Sequence, residues 1–364
     1  MTSSDSAESE TRLNLYGLDR AGLESWIERH RSRSFHGRQI YRWIYGRGNL
    51  DPRDWTDLPG TLRENLAREV VFDPGSIEDR VEASDGTIKY AIGLADGLSV
   101  EAVQMVQSDR VTMCISSQVG CALACDFCLT GKMGLRRQLT PGEILGQIAL
   151  IRGERDLAGR QFNVVFMGMG EPLHNYEAVI SAFRTLTDDD GFGLSRKRVT
   201  VSTSGLVPAI ERLADEPSGP RLAVSLNATT DEVRDRIMPI NRKYPIARLL
   251  EACRHYARTT GDRFTLEYVL LSGINDTDAD VGRLERIVRG LPAKLNLIPF
   301  NAVEEWLDYQ PPSEKKVLWL RDRLLGKNVP VSIRWSRGAD ARAACGQLAL
   351  LDPRPPQESR RTER

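Results

Sequence analysis

From residue 110 onward the chain alternates short β-branched runs with longer amphipathic segments, and this rhythm constrains the fold more than any other feature. The runs are VTMCIS, NVVFMG, RVTVST, RLAVSL, FTLEYVLL and KLNLIPF, separated by helical stretches such as residues 141–152 and 247–258. Six strand–helix repeats predict a parallel sheet, curled or barrel-like, because each crossover returns the chain to the same end of the sheet. In such folds chemistry collects beyond the C-terminal ends of the strands. The unusual residues fall there: CISSQVGCALACDFC at the first run, then GMGEP, STSG, SLNA, GIND and PFN at the others. A last run, VSIRWSRGADARAACGQL, offers an edge strand and a loop carrying Cys345.

The remaining segments read differently. In residues 15–75, Leu23, Trp26 and Ile27, then Ile40, Trp43 and Ile44, recur at helical spacing, which predicts a small all-helical domain. Residues 76–109 read as a β linker with a hairpin at Asp96-Gly97, and 110–351 as the barrel region. Residues 1–14 and 352–364 lack apolar periodicity and are expected to be disordered. Lys plus Arg and Asp plus Glu both number 50, so the chain of 364 residues has no net charge. No apolar run approaches the roughly 18 residues of a membrane helix, and an acidic start stands where a signal peptide would be basic and then apolar. The expectation is a cytoplasmic protein with no membrane partner. Six cysteines are too few for a disulfide scaffold, so their clustering has to be explained by metal or catalysis.

Cys121, Cys125 and Cys128 form C-x3-C-x2-C, with Phe127 before the last. Three thiolates can hold three irons of a cubane cluster and leave the fourth iron an open position. The alternative is a zinc site with Cys114 as a distant fourth ligand, although structural zinc usually takes two separated pairs. Plainer readings stand beside the functional ones elsewhere. Cys345, among small neighbours in Ala343-Ala344-Cys345-Gly346, is equally a buried structural cysteine. Glu101 reads first as a solvated strand carboxylate, GMGEP as a turn, and Cys253 as core. The neutral average hides residues 29–47, RHRSRSFHGRQIYRWIYGR, with six Arg, two His, four aromatics and no acid. That composition suits phosphate contact and base stacking, beside the reading of a helix whose Ile40, Trp43 and Ile44 are core. Arg136-Arg137, Arg196-Lys197-Arg198 and Arg242-Lys243 are smaller basic clusters placed to ring a site.

CISSQVGCALACDFCLTGKMGLRRQLTPGEILGQ, VVFMGMGEPLHNY, VTVSTSGLVP, IMPINRKYPI, NLIPFN and AACGQL, with FHGRQIYRWIY nearer the N-terminus, resemble the dual-specificity RNA adenine-C2 methyltransferases of the RlmN family, over about residues 15–351. The resemblance implies an α/β fold, a partial (β/α)6 TIM-like radical S-adenosylmethionine (SAM) barrel with a helical accessory domain. It implies a 4Fe-4S cluster on Cys121, Cys125 and Cys128, and SAM contacts at Gly170, Glu171, Ser202, Ser225, Leu226, Asn227 and Asn301. Adenine carbon 2 has no lone pair to receive a methyl group by displacement, and a radical route answers that. In the implied scheme Cys345 carries the methyl group, at two SAM per turnover, and Glu101 takes the adenine proton. Cys114 then resolves the RNA adduct as a disulfide with Cys345, which needs their Cα atoms within about 7 Å. The implied substrates are 23S rRNA and tRNA, at the adenine beside the anticodon; flavodoxin or ferredoxin is the implied electron donor, and the protein is expected to be a monomer. Two departures stand out: Asn227 where the family more often has His, and a loop after Asn301, AVEEWLDY, without the Pro-Gly of relatives. The competing functions are methylation at adenine carbon 8 and a non-catalytic, zinc-stabilised RNA-binding protein.

Overall fold

The computed structural model describes residues 12–108, 110–155, 157, 160–303 and 308–349. The expected disordered tail, most of the lead, and residues 304–307 of the loop after Asn301 lie outside the described residues. Leu13–Asn14, expected in the disordered lead, instead pairs in parallel with Val70–Val71. Among the described residues no helix is long and apolar enough to cross a membrane.

The chain divides into two compact units. One joins the residues up to Gly75 with Thr140–Arg160 and Ser181–Leu194; the other holds Ser76–Leu139, Gln161–Ile180 and the residues from Ser195 on. The linear reading had placed 140–160 and 181–194 with the barrel. In the first unit the predicted helical stripes are core: Leu23, Ile27, Ile40 and Ile44 are buried, while Trp43 is half-buried under the Arg47 guanidinium, 3.8 Å from its ring centre. A capping box at Thr140, closed by Glu143, starts the helix Pro141–Glu154 by satisfying amide groups that lack intrahelical partners. The basic stretch is not free of acid. Arg38 Nε and Arg42 Nη2 donate to the Asp190 carboxylate at 2.5 and 2.7 Å. That acid was invisible to a local reading because it lies 152 residues from Arg38.

The second unit is built on a ten-stranded sheet. We number its strands β1 (Ser76–Glu82), β2 (Ile88–Gly93), β3 (Ser99–Gln107), β4 (Arg110–Cys114), β5 (Phe162–Phe166), β6 (Val199–Thr203), β7 (Arg221–Ser225), β8 (Phe264–Leu270), β9 (Ala293–Pro299) and β10 (Val331–Ile333). Strands β1 to β4 are antiparallel neighbours, and β4 to β10 run parallel in chain order. All six predicted barrel strands form, and the last run supplies the edge strand β10. Within the expected β linker the sequence marks no strand at Ser76–Glu82, and the short pair Gln118–Gly120 and Leu135–Gln138 is likewise unmarked. The residues of Ser76–Glu82 are mostly exposed and charged, so this strand has no buried face to produce alternation. The sheet curls. Residues of alternate positions on β4, β6, β8 and β9, Thr112, Thr200, Thr265 and Asn296 among them, line a single cavity, as the inward faces of a partial barrel do. Because β4 to β10 are parallel, their following loops gather at one end.

Candidate active site

The cluster loop leaves β4 and enters the short helix Leu129–Lys132. Cys121, Cys125 and Cys128 all face one cavity. Burial pushes their thiols upward, Cys121 to about 12; Cys128 raises both Cys121 and Cys125 further, and Cys121 raises Cys125. Metal binding removes such protons, since thiolate is the ligand form. Among the described residues no group of three His, Cys, Asp or Glu is arranged to hold a single metal ion, which is what zinc demands. A cubane takes one thiolate per iron. Three cysteines from one loop, facing one cavity, fit the cluster, with one thiolate for each of three irons.

The loop after β5 supplies Gly170 and Glu171. Gly170 has φ +97°, and a Cβ there would sit 2.5 Å from Gln118 Cβ, so only glycine fits. Glu171 is buried. Its carboxylate accepts the amides of Leu173 at 3.0 Å and Ser204 at 2.7 Å, and burial raises its pKa while these bonds offset part of the rise. An anion anchored in this way, on the wall of the cavity that the cysteines face, suits the ammonium of an amino acid.

Ser202, Ser225 and Asn301 line the same cavity from the ends of β6, β7 and β9. Leu226 does not: its side chain is buried in the wall. Asn227 reaches the cavity surface yet has its polar atoms engaged. Its Oδ1 accepts from the Val269 amide at 2.8 Å, and its carbonyl accepts Asn275 Nδ2 at 2.7 Å. Its φ is +54°, a left-handed conformation that asparagine tolerates better than most residues. With both carbonyl oxygens engaged by neighbouring amides, Asn227 acts as a brace.

The bracing has a second member that the sequence reading missed. Arg234, fully buried, donates Nε to the Leu226 carbonyl at 2.9 Å and Nη2 to the carbonyls of Ser204 and Ser225 at 2.7 and 2.9 Å; Nη1 reaches Asn241 Oδ1 at 3.0 Å. Burial pulls its pKa down to about 10. An arginine among three acids in DEVRDR reads as surface helix, so nothing local marks it.

Cys345 stands where two cavities meet. It lines the upper one with the cluster cysteines, and it lines the lower one, the barrel interior, with Cys114. Its loop is sewn to the cluster loop: the Leu129 amide donates to the Gly346 carbonyl at 2.9 Å, and Thr130 Oγ1 to that of Leu348 at 2.6 Å. Cys114 is buried and pushed up to about 12 by burial first and the Cys345 sulfur second, with Arg334 opposing. Arg334 faces both sulfurs, and it also lines both cavities. Glu101 lines neither cavity. Its side chain is 1% exposed and paired with Lys89 Nζ at 3.0 Å, not solvated as the plain reading held. Cys253 is core, as expected.

Comparison with known proteins agrees with this geometry. The radical SAM superfamily matches residues 115–284, and the ribosomal RNA large subunit methyltransferase N-terminal domain matches residues 13–71. The dual-specificity RNA methyltransferase RlmN of Anaeromyxobacter sp. (strain Fw109-5) is 45% identical over 97% of this chain and 96% of its own. That of Geobacter sulfurreducens is 48% identical over 93% of this chain and 92% of its own. A crystal structure of a radical SAM methyltransferase from Sphaerobacter thermophilus superposes with a TM-score of 0.87 at 43% identity, covering 92% of this chain and 99% of that one. On these relationships the chain belongs to the RlmN family of dual-specificity RNA methyltransferases, in the radical SAM superfamily.

Proposed function

We propose that the enzyme methylates carbon 2 of one adenine in 23S rRNA and of the adenine beside the anticodon in tRNAs, with Cys345 as the methyl carrier. The observation that carries this reading is the position of Cys345 at the junction of the two cavities. A cofactor side and a substrate side then share one sulfur, as a carrier requires. When bound, the 4Fe-4S cluster and SAM supply the electron, the methyl group and the hydrogen-abstracting radical.

The chain's own residues do the rest. Cys121, Cys125 and Cys128 hold the cluster, and Glu171 takes the ammonium of SAM. Gly170, Ser202, Ser225 and Asn301 shape its bed, while Leu226 and Asn227 contribute through the wall behind it. Cys345 takes a methyl group and forms a carbon bridge to adenine C2. Glu101 accepts the proton lost from that carbon, which requires the wall between it and the lower cavity to open when RNA binds. Cys114 then bonds to the Cys345 sulfur as the bond from that sulfur to the bridging carbon breaks; the carbon keeps the electron pair and takes a proton, releasing methylated RNA and leaving a disulfide that a reductant reopens. The adenine enters the lower cavity unstacked, which costs least in a loop. Exposed Phe35 and the arginines at 29, 31 and 33, which have no acid partner among the described residues, remain for RNA contact. We further assign a monomer in the cytoplasm, reduced by flavodoxin or ferredoxin.

Mass spectrometry of nucleosides from rRNA and tRNA treated side by side tests the assignment. 2-Methyladenosine in both is expected; a product methylated only at carbon 8 overturns it.

A further inference from the structure

The lower cavity carries a feature that the reaction leaves unused. Its lining holds four cations, Arg110, Lys294, Arg334 and Arg337, against one carboxylate, Glu267. Arg337 is fixed by a 2.7 Å hydrogen bond from Nη1 to the Val106 carbonyl, with Asp85 its facing acid. Among the described residues Arg110 and Lys294 form no ion pair. On the same lining Trp335 is 47% exposed, the one exposed tryptophan among the described residues. No aromatic, cation–π or hydrogen-bond partner engages its ring there.

A lone exposed apolar residue needs no explanation. This one is different in its place. It follows Arg334, which faces the Cys345 sulfur, and it stands on the lining of the cavity that leads to that sulfur. An adenine whose carbon 2 reaches Cys345 lies inside; its neighbour in the RNA strand stays toward the opening, having lost a stacking face when the adenine left. Indole restores such a face, and it does so for any base, because every base has a π-face. The cations beside it match the adjoining phosphates.

We propose that Trp335, with Arg110, Lys294 and Arg337 on the same cavity lining, is a stacking platform for the nucleotide flanking the target adenine. The platform offsets the cost of unstacking, and its indifference to base identity suits an enzyme with two RNA substrates. This inference rests on the RNA methyltransferase reading.

The test uses reconstituted holoenzyme and an RNA hairpin bearing the target adenine, comparing wild type with Trp335→Ala, Trp335→Leu and Trp335→Phe. Trp335→Ala is expected to raise KM for RNA roughly tenfold, with the effect in KM more than in kcat. Trp335→Leu should match it, and Trp335→Phe should recover most of the loss. A hairpin abasic at the flanking position should cost wild type a similar factor and cost Trp335→Ala little more. A KM within twofold of wild type for Trp335→Ala, rescue by Leu as good as by Phe, or fully additive losses with the abasic hairpin each overturn the platform. Wild-type turnover in the same assay separates the two levels: without it the methyltransferase reading falls as well, and with it only the platform is at stake.

Discussion

The Asn301 side-chain amide donates to the backbone carbonyl of Cys345 at 3.0 Å. A residue just beyond β9 therefore holds the loop that carries Cys345, the sulfur proposed as methyl carrier, against the cavity that the three loop cysteines face. Such a bond contributes about 0.5–1.5 kcal/mol, and misplacing a reacting atom costs rate directly. Asn301→Ala is expected to slow S-methylation of Cys345 roughly tenfold, followed by mass spectrometry of the protein with time. Asn301→Asp should slow it more, because its carboxylate faces the carbonyl it can no longer donate to. Equal rates in Asn301→Asp and wild type contradict this role.

The buried Lys89–Glu101 pair makes a prediction in pH. Burial raises the Glu101 pKa, and the Lys89 charge pulls it back. A proton acceptor must be ionised, so release of the RNA adduct should slow as pH falls through that raised value. Lys89→Met removes the counter-charge, and the acid limb of single-turnover adduct release should move to higher pH. The stability sign agrees. A carboxyl with a raised folded pKa favours the fold while protonated and ceases to do so as pH rises through that value. The deficit of Lys89→Met in thermal unfolding should therefore widen with rising pH, toward the about 3–5 kcal/mol of a buried charge without its partner. An unmoved acid limb removes Glu101 from the proton transfer.

Arg234 holds three strand-end carbonyls and Asn241. Arg234→Met leaves those buried acceptors without donors, each costing about 1–3 kcal/mol before relaxation. The variant should unfold at lower temperature and bind SAM more weakly, measured by equilibrium dialysis. Arg234→Lys should rescue only part of either loss, since an ammonium cannot fork to carbonyls in three directions. Full rescue by Lys would show that charge, not geometry, is what the site needs.

The three loop cysteines separate cluster from zinc. Cys121→Ala, Cys125→Ala and Cys128→Ala should each lose iron and sulfide after anaerobic reconstitution. Cys114→Ala should keep both. If Cys114→Ala also loses its metal, Cys114 is a ligand and cannot serve as the resolving thiol.

Much of this was legible in the sequence, for identifiable reasons. The parallel strands showed themselves because buried strands are β-branched runs, and the site residues because strand-end loops collect short polar groups and glycines. What stayed hidden depended on distance in sequence. Asp190 neutralises Arg38 and Arg42 from far along the chain, so a local charge count overstated the basic patch. Lys89 reaches Glu101 only across the β2–β3 pairing, and Arg234 gains its acceptors only when β6 and β7 end side by side. Glu267 points into the barrel from β8, whose inward face no periodicity distinguishes because both faces of a parallel sheet are covered, and Arg334 does so from just beyond β10.

The most direct measurement of the central claim is the covalent RNA–protein adduct in Cys114→Ala and Cys345→Ala holoenzymes, resolved by denaturing gel and mass spectrometry after turnover with RNA and SAM. Cys114→Ala is expected to accumulate an adduct through Cys345, and Cys345→Ala to form none. Full methylation with no adduct in either variant would contradict it.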